Sequence, residues 1–183
     1  PFRALPAMLL ALFTAGAVHA IPLSDLLGGA AITAGDKRFD SWTSTYYASD
    51  LQRTFDPGNI DVTALNDGGL DPGPGLNFSV SGGELSVTGD GIFAYVNLLL
   101  GFHVTVLDPT LAVKDNSLEL TAGSIQALGD NGFSIAESIG TVAGGFDLGN
   151  KYAEFSWLDP SLGGPGLIQN LTDSATFAPQ TGI

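Results

Sequence analysis

The chain has 183 residues, with 6 Lys and Arg against 19 Asp and Glu and a formal net charge of −13. So acidic a chain repels nucleic acid and anionic lipid, both of which are bound through clustered Lys and Arg. Cysteine is absent, which excludes disulfides, thiolate metal sites and thiol nucleophiles. Charged residues make up 14% and apolar residues 44%, with 25 Gly and 10 Pro, a balance that suits a turn-rich β protein rather than a disordered one.

Residues 1–20 read PFRALPAMLLALFTAGAVHA. Arg3 precedes an apolar run from Leu5 to Val18, and Val18 and Ala20 stand third and first before a predicted cut after Ala20. That is the pattern of a secretory signal-peptide helix, and the run is shorter than the roughly 20 apolar residues that span a bilayer. The remainder, residues 21–183, is expected to be one all-β domain, an antiparallel β-sandwich of jelly-roll-like type. No stable membrane span is expected in that mature part.

Along the mature chain, Ile60 and Val62 alternate in NIDVTAL, and Trp42, Ser44 and Tyr46 share one side of KRFDSWTSTYY. Leu76, Phe78 and Val80 alternate in GLNFSV, and Leu85 and Val87 in ELSVTG. The longest signal covers residues 91–107, where Ala94, Val96, Leu98, Leu100, Phe102, Val104 and Val106 form one apolar set. Period-two alternation predicts strands with one face in a core, and Gly101 is a predicted bend or bulge. Leu118 and Leu120, then Phe133, Ile135 and Ile139, then Ala153, Phe155 and Trp157 continue the pattern. Short helical turns are predicted near Ser24–Leu27 and Gly166–Leu171. Asp precedes Pro at Asp56, Asp71, Asp108 and Asp159, and each pair is expected to end a strand, because Pro disfavours helix before it and Asp starts an Asx turn.

No catalytic set is legible. His103, in mid-strand, is the one histidine of the mature chain, and no Gly-x-Ser-x-Gly elbow accompanies it. Glu137 shares the parity of Phe133 and Ile135; an inward carboxyl there could serve as an acid, but a solvent-facing glutamate after a parity switch is the preferred reading. Calcium, which takes oxygen ligands, has candidates in Asp67, Asp71 and Asp130, although turn chemistry alone accounts for Asp and Asn beside Gly. No other cofactor is expected. Six aromatics, Trp42, Tyr46, Tyr47, Tyr95, Tyr152 and Trp157, could stack on sugar faces. Of these Trp42, Tyr46, Tyr95 and Trp157 are taken as candidate ligand residues, against the default of a core role.

Three phrases are similar to those of PEP-CTERM-type secreted bacterial proteins. They are Gly35-Asp36-Lys37-Arg38-Phe39, Val106-Leu107-Asp108-Pro109 and Phe177-Ala178-Pro179-Gln180-Thr181. The resemblance implies export by a Gram-negative bacterium, secretion or display on the outer cell surface, and association with exopolysaccharide or biofilm matrix. It carries over no catalytic residue. The sorting tail that names the family does not occur before Ile183, so by resemblance further strands and that tail are expected beyond it. The functional expectation is a non-enzymatic secreted surface or matrix protein with extracellular polysaccharide as its partner. The alternative is a lectin-like jelly-roll module, calcium-assisted.

Overall fold

The computed structural model describes residues 19–65, 73–89, 94–125 and 129–183. The signal-peptide helix predicted over residues 1–20 therefore lies, but for its last two residues, outside the described residues. So do Asp67 and Asp71. The described chain is an all-β, antiparallel sandwich with one short helix.

A first pair of sheets encloses the main core. One contains β1 (Ile21–Pro22), β4 (Ile60–Leu65) and β5 (Gly75–Val80), and the other β2 (Ile32–Ala34), β3 (Lys37–Ala48) and β6 (Val96–Val106). Helix α1 (Leu23–Leu27) inserts Leu23 and Leu26 beside Ile32, Phe39, Trp42, Ile60, Val62 and Val104. The alternation in β6 does what its pattern requires: Leu98, Leu100 and Phe102 pack on this core, while Asn97, Leu99 and His103 face solvent. Gly101 does not break β6. The irregularity falls instead on its partner β3, between Asp40 and Thr43, where Ser41 adopts φ 58°. That extra residue is a β-bulge. It lets Phe39 and Trp42, three apart, both point into the core, and Phe102 meets both rings at 5.8 and 4.7 Å between centroids.

A second group of strands follows. β7 (Val113–Glu119) pairs with β11 (Thr172–Gln180), while β8 (Asn131–Ile139), β9 (Gly149–Leu158) and β10 (Gly166–Asn170) form an antiparallel sheet with β9 in the centre. β9 packs against both β7 and β11. The two groups are stitched together by the carboxy-terminal residues, since Val104 and Ile183 exchange backbone hydrogen bonds and Val106 N donates to Thr181 O. The pairings β3–β6 and β7–β11 skip intervening strands, so the chain is not a simple meander.

Three local expectations change. The segment of Leu85 and Val87 is not a strand: residues 82–85 form a turn and 86–89 run on without regular structure. Consecutive positive φ at Gly82 and Gly83 reverses the chain, and the Arg53 guanidinium donates to the carbonyls of Gly83, Glu84 and Ser86. The Glu84 carboxylate is buried there and accepts from Asp56 N and Asn59 Nδ2, both at 3.1 Å. Gly166–Asn170 is strand, not helix, because its backbone completes the ladder to β9. Glu137 keeps the parity of Phe133 and Ile135, since the register of β8 against β9 runs unbroken from Asn131 to Ile139.

The Asp-Pro pairs at Asp108 and Asp159 follow the ends of β6 and β9 as expected, whereas Asp56 ends no strand: β3 stops at Ala48, and Asp56 caps the turn Pro57–Asn59 that leads into β4. Asp56, Asp108 and Asp159 each accept the backbone N–H two residues ahead, from Gly58, Thr110 and Ser161. Asp108 is held below the ordinary carboxylate range, first by the Thr110 hydroxyl and then by its N–H. Asp147 is lowered likewise by the Thr141 hydroxyl and N–H across the β8–β9 connection. Because the folded value lies below the unfolded one, these turns gain stability above the ordinary carboxylate value and lose it as pH falls through the lowered one. A carboxyl-resolved NMR titration is expected to place both midpoints below those of unbonded aspartates. Thr141→Ala should return Asp147, and not Asp108, toward the ordinary value.

Candidate ligand-binding face

The sequence-predicted aromatics separate by environment. Trp42 is 6% exposed, at the centre of the first core, with Nε1 donating to Phe39 O, so it offers no ring face to a ligand. Tyr46 is half-buried and stacks on Phe55 with centroids 5.0 Å apart, and its hydroxyl is buried without a hydrogen-bond partner. Trp157 is half-buried on the face of β9 that carries Phe155, Ala153 and Lys151. Tyr95 is 43% exposed; its backbone is tied to Ser49, and its ring borders a cleft of about 330 Å³ with Asp50, Arg53 and Val87. The Arg53 guanidinium in that cleft is committed to the three turn carbonyls.

A second cleft, of about 290 Å³, lies on the sheet β10–β9–β8 and is lined in part by Asp130, Gly132, Ser134, Tyr152, Glu154 and Ser156. Its construction follows from strand parity. Tyr152, Glu154 and Ser156 point to the side of β9 opposite Ala153 and Phe155. Their cross-strand neighbours on β8 are Ala136, Ser134 and Gly132, all small, so the long side chains of β9 stand beside a trough. A Cβ at position 132 would lie 2.4 Å from Ser156 Cβ, so glycine keeps that end of the trough open. Asn170, the last residue of β10, pairs with Glu154 and donates from Nδ2 to Tyr152 O at 3.0 Å. Beyond the end of β10, the Tyr152 N–H donates to Asp173 Oδ2 at 2.9 Å. Two side chains thus complete the backbone hydrogen bonding of the residue whose ring is 43% exposed. Glu154 Oε1 accepts from Ser156 Oγ at 2.5 Å, which orients the carboxylate within the trough.

This face offers the Tyr152 ring, the half-buried Glu154 carboxylate and the exposed Ser134 hydroxyl, while Ser156, 6% exposed, serves only to orient Glu154. A ring of that kind covers the apolar C–H face of a flat polar ligand, while carboxylate and hydroxyl groups take its O–H donors. Tyr152 is one of the six Trp and Tyr residues of the sequence. The signal that distinguishes it is its parity with Glu154 and Ser156, opposite to Ala153, Phe155 and Trp157.

The other candidates are placed apart. Asp130 lies at the rim of the trough, but its Oδ1 accepts from Asp159 N at 2.6 Å, a loop-closing role. Among the described residues no three His, Asp or Glu side chains gather as metal ligands. His103 is exposed beside Asp40, with Nδ1 3.7 Å from Asp40 Oδ1 and 3.3 Å from Thr105 Oγ1. The Ser41 hydroxyl donates to that same Asp40 carboxylate rather than to the imidazole, so serine, histidine and aspartate do not form a relay. Among the described residues no helix is long and apolar enough to cross a membrane. No family model, no curated protein sequence and no solved structure matches the chain.

Proposed function

We propose that the protein is a non-enzymatic, exported component of the bacterial surface or extracellular matrix that contacts polysaccharide through the open face of β8–β9–β10. The observation that carries this reading is the Tyr152 ring, exposed beside Glu154 over a trough of small residues. The predicted signal peptide supports export. Polysaccharide is favoured over a compact apolar ligand because the trough is open to solvent, where an apolar ligand needs an enclosed pocket.

The test is a polysaccharide pull-down and glycan array with the folded chain, run with calcium and with chelator. Saturable binding to an uncharged or cationic glycan is expected, with at least a tenfold weakening in Tyr152→Ala, a loss of about 1.4 kcal/mol. Binding unchanged by Tyr152→Ala would remove this face from the reading. Binding abolished by chelator would move the site to the aspartate loops.

A further inference from the structure

The interface between the β7–β11 pair and the β8–β9–β10 sheet holds a set of groups that neither the fold nor the proposed ligand face uses. Lys151 in β9 is 2% exposed, one of the most buried residues of the chain. Glu137 stands directly across from it in β8, and Glu137 Oε2 lies 2.6 Å from Lys151 Nζ. The other carboxylate oxygen, Oε1, accepts from Asn116 Nδ2 at 3.1 Å. Asn116 comes from β7, on the facing layer. One carboxylate therefore touches a buried amine and a carboxamide at once. The contact with the amine is not aligned as a hydrogen bond, and Lys151 Nζ and Asn116 Oδ1 are both buried without a hydrogen-bond partner. Buried polar groups are nearly always paired, and two unpaired ones against the same carboxylate call for an explanation.

We propose that Lys151 and Asn116 become joined by an intramolecular amide bond, with Glu137 as the proton carrier. Lys151 passes a proton to the Glu137 carboxylate across the ion pair and becomes a neutral amine. Its lone pair attacks Asn116 Cγ, the Nζ–Cγ bond forms, and Oδ1 takes the developing charge while the Glu137 carboxyl donates to it. Protons then move through Glu137 from Nζ to Nδ2, the Cγ–Nδ2 bond breaks, and nitrogen leaves as ammonia. The products are one secondary amide, one ammonia and a Glu137 that keeps the proton the ammonium first gave it; no oxidant or reductant is involved. Each requirement is met by a group in place. A lysine amine is a nucleophile when desolvated, a carboxyl within hydrogen-bond reach serves as acid and base, and the packing of β7 against β9, with Glu137 touching both reactants, holds them at high effective concentration. The reaction turns over once, on the chain's own side chains. It gives a cysteine-free chain the covalent tie between layers that a disulfide would otherwise supply.

Intact mass spectrometry of the purified full chain, followed by cleavage after glutamate, tests this. The folded chain is expected to be lighter than its sequence by one ammonia, with fragments 85–119 and 138–154 recovered as a single branched species. Asn116→Ala should carry its full sequence mass and release the two fragments separately. Glu137→Gln, checked for folding by circular dichroism, should also carry full mass and be cut by trypsin after Lys151, where the unaltered chain resists. A folded, unaltered chain of full mass would overturn the proposal. So would an ammonia loss that maps to Asn131-Gly132, the signature of a cyclised Asn-Gly pair, with the two fragments separate. A Glu137→Gln chain, which yields 120–154 in place of 138–154, would remove Glu137 from the mechanism if that fragment were still joined to 85–119.

Discussion

Replacing Trp42 with alanine is expected to destabilise the fold by about 3–5 kcal/mol, the range for removing a large aromatic from a packed core. Trp42 is 6% exposed and touches both sheets of the first sandwich, meeting Phe102 of β6 at 4.7 Å and Phe78 of β5 at 6.2 Å between centroids. Its deletion leaves a cavity between layers that the short helix α1 cannot fill, because Leu23 and Leu26 are already fully enclosed. At roughly 2–4 °C per kcal/mol for a chain of this size, the Tm should fall by about 6–20 °C. Tyr47, on the opposite face of β3 and 54% exposed, is the control, and Tyr47→Ala should stay within about 0.5 kcal/mol. Urea unfolding of the two variants checks the contrast. Equal effects would mean that β3 faces the other way.

The second large effect concerns Lys151 and Glu137. Removing the partner of a buried charge costs about 3–5 kcal/mol, so Glu137→Ala, which strands the enclosed Lys151 ammonium, should be strongly destabilised, and Lys151→Ala, which leaves a carboxylate 28% exposed, less so. The double variant Lys151→Met with Glu137→Leu removes both charges and fills the space. Taken as an ion pair alone, that exchange is close to neutral. With the Lys151–Asn116 amide it is not, because the closed loop of about 35 residues between them is released, worth between roughly 3 and 5 kcal/mol by the chain-entropy account of cross-links. The double variant is therefore expected to remain several kcal/mol below the unaltered chain in denaturant. Full recovery would show that the pair is only electrostatic.

Much of the fold was legible because alternation reports one thing well, which residues share a face. The strand β6 runs as its apolar set Val96 to Val106 requires, Ile60 and Val62 are almost wholly buried, and the described Asp-Pro pairs close Asx turns. What alternation cannot report is which face meets another layer. Trp42 and Tyr152 both sit in alternating strands, yet one is core and the other open, because the layers above them differ. The bulge at Ser41 was also hidden, since a serine carries no sign of a left-handed backbone. Gly101, on the partner strand, carries the sequence signal instead, and its lack of a side chain makes room for Thr43, whose Oγ1 would lie 2.7 Å from a Cβ there. Residues 84–87 carried a strand-like pattern that Arg53 and the two glycines before them override. β11 alternates polar and small residues, and only its pairing with β7 makes it a strand. The Asn116–Glu137–Lys151 contact brings together three strands from two layers, a convergence that spacing along the chain does not encode.

The most direct test of the functional reading is a backbone NMR shift map of the folded chain titrated with an oligosaccharide taken from the best-bound polysaccharide. The account predicts saturable shifts centred on Gly132, Ser134, Tyr152, Glu154 and Asn170, with the Trp42 core unmoved. Shifts centred on Tyr95 and Arg53, or none in a sample that binds the polymer, would contradict it.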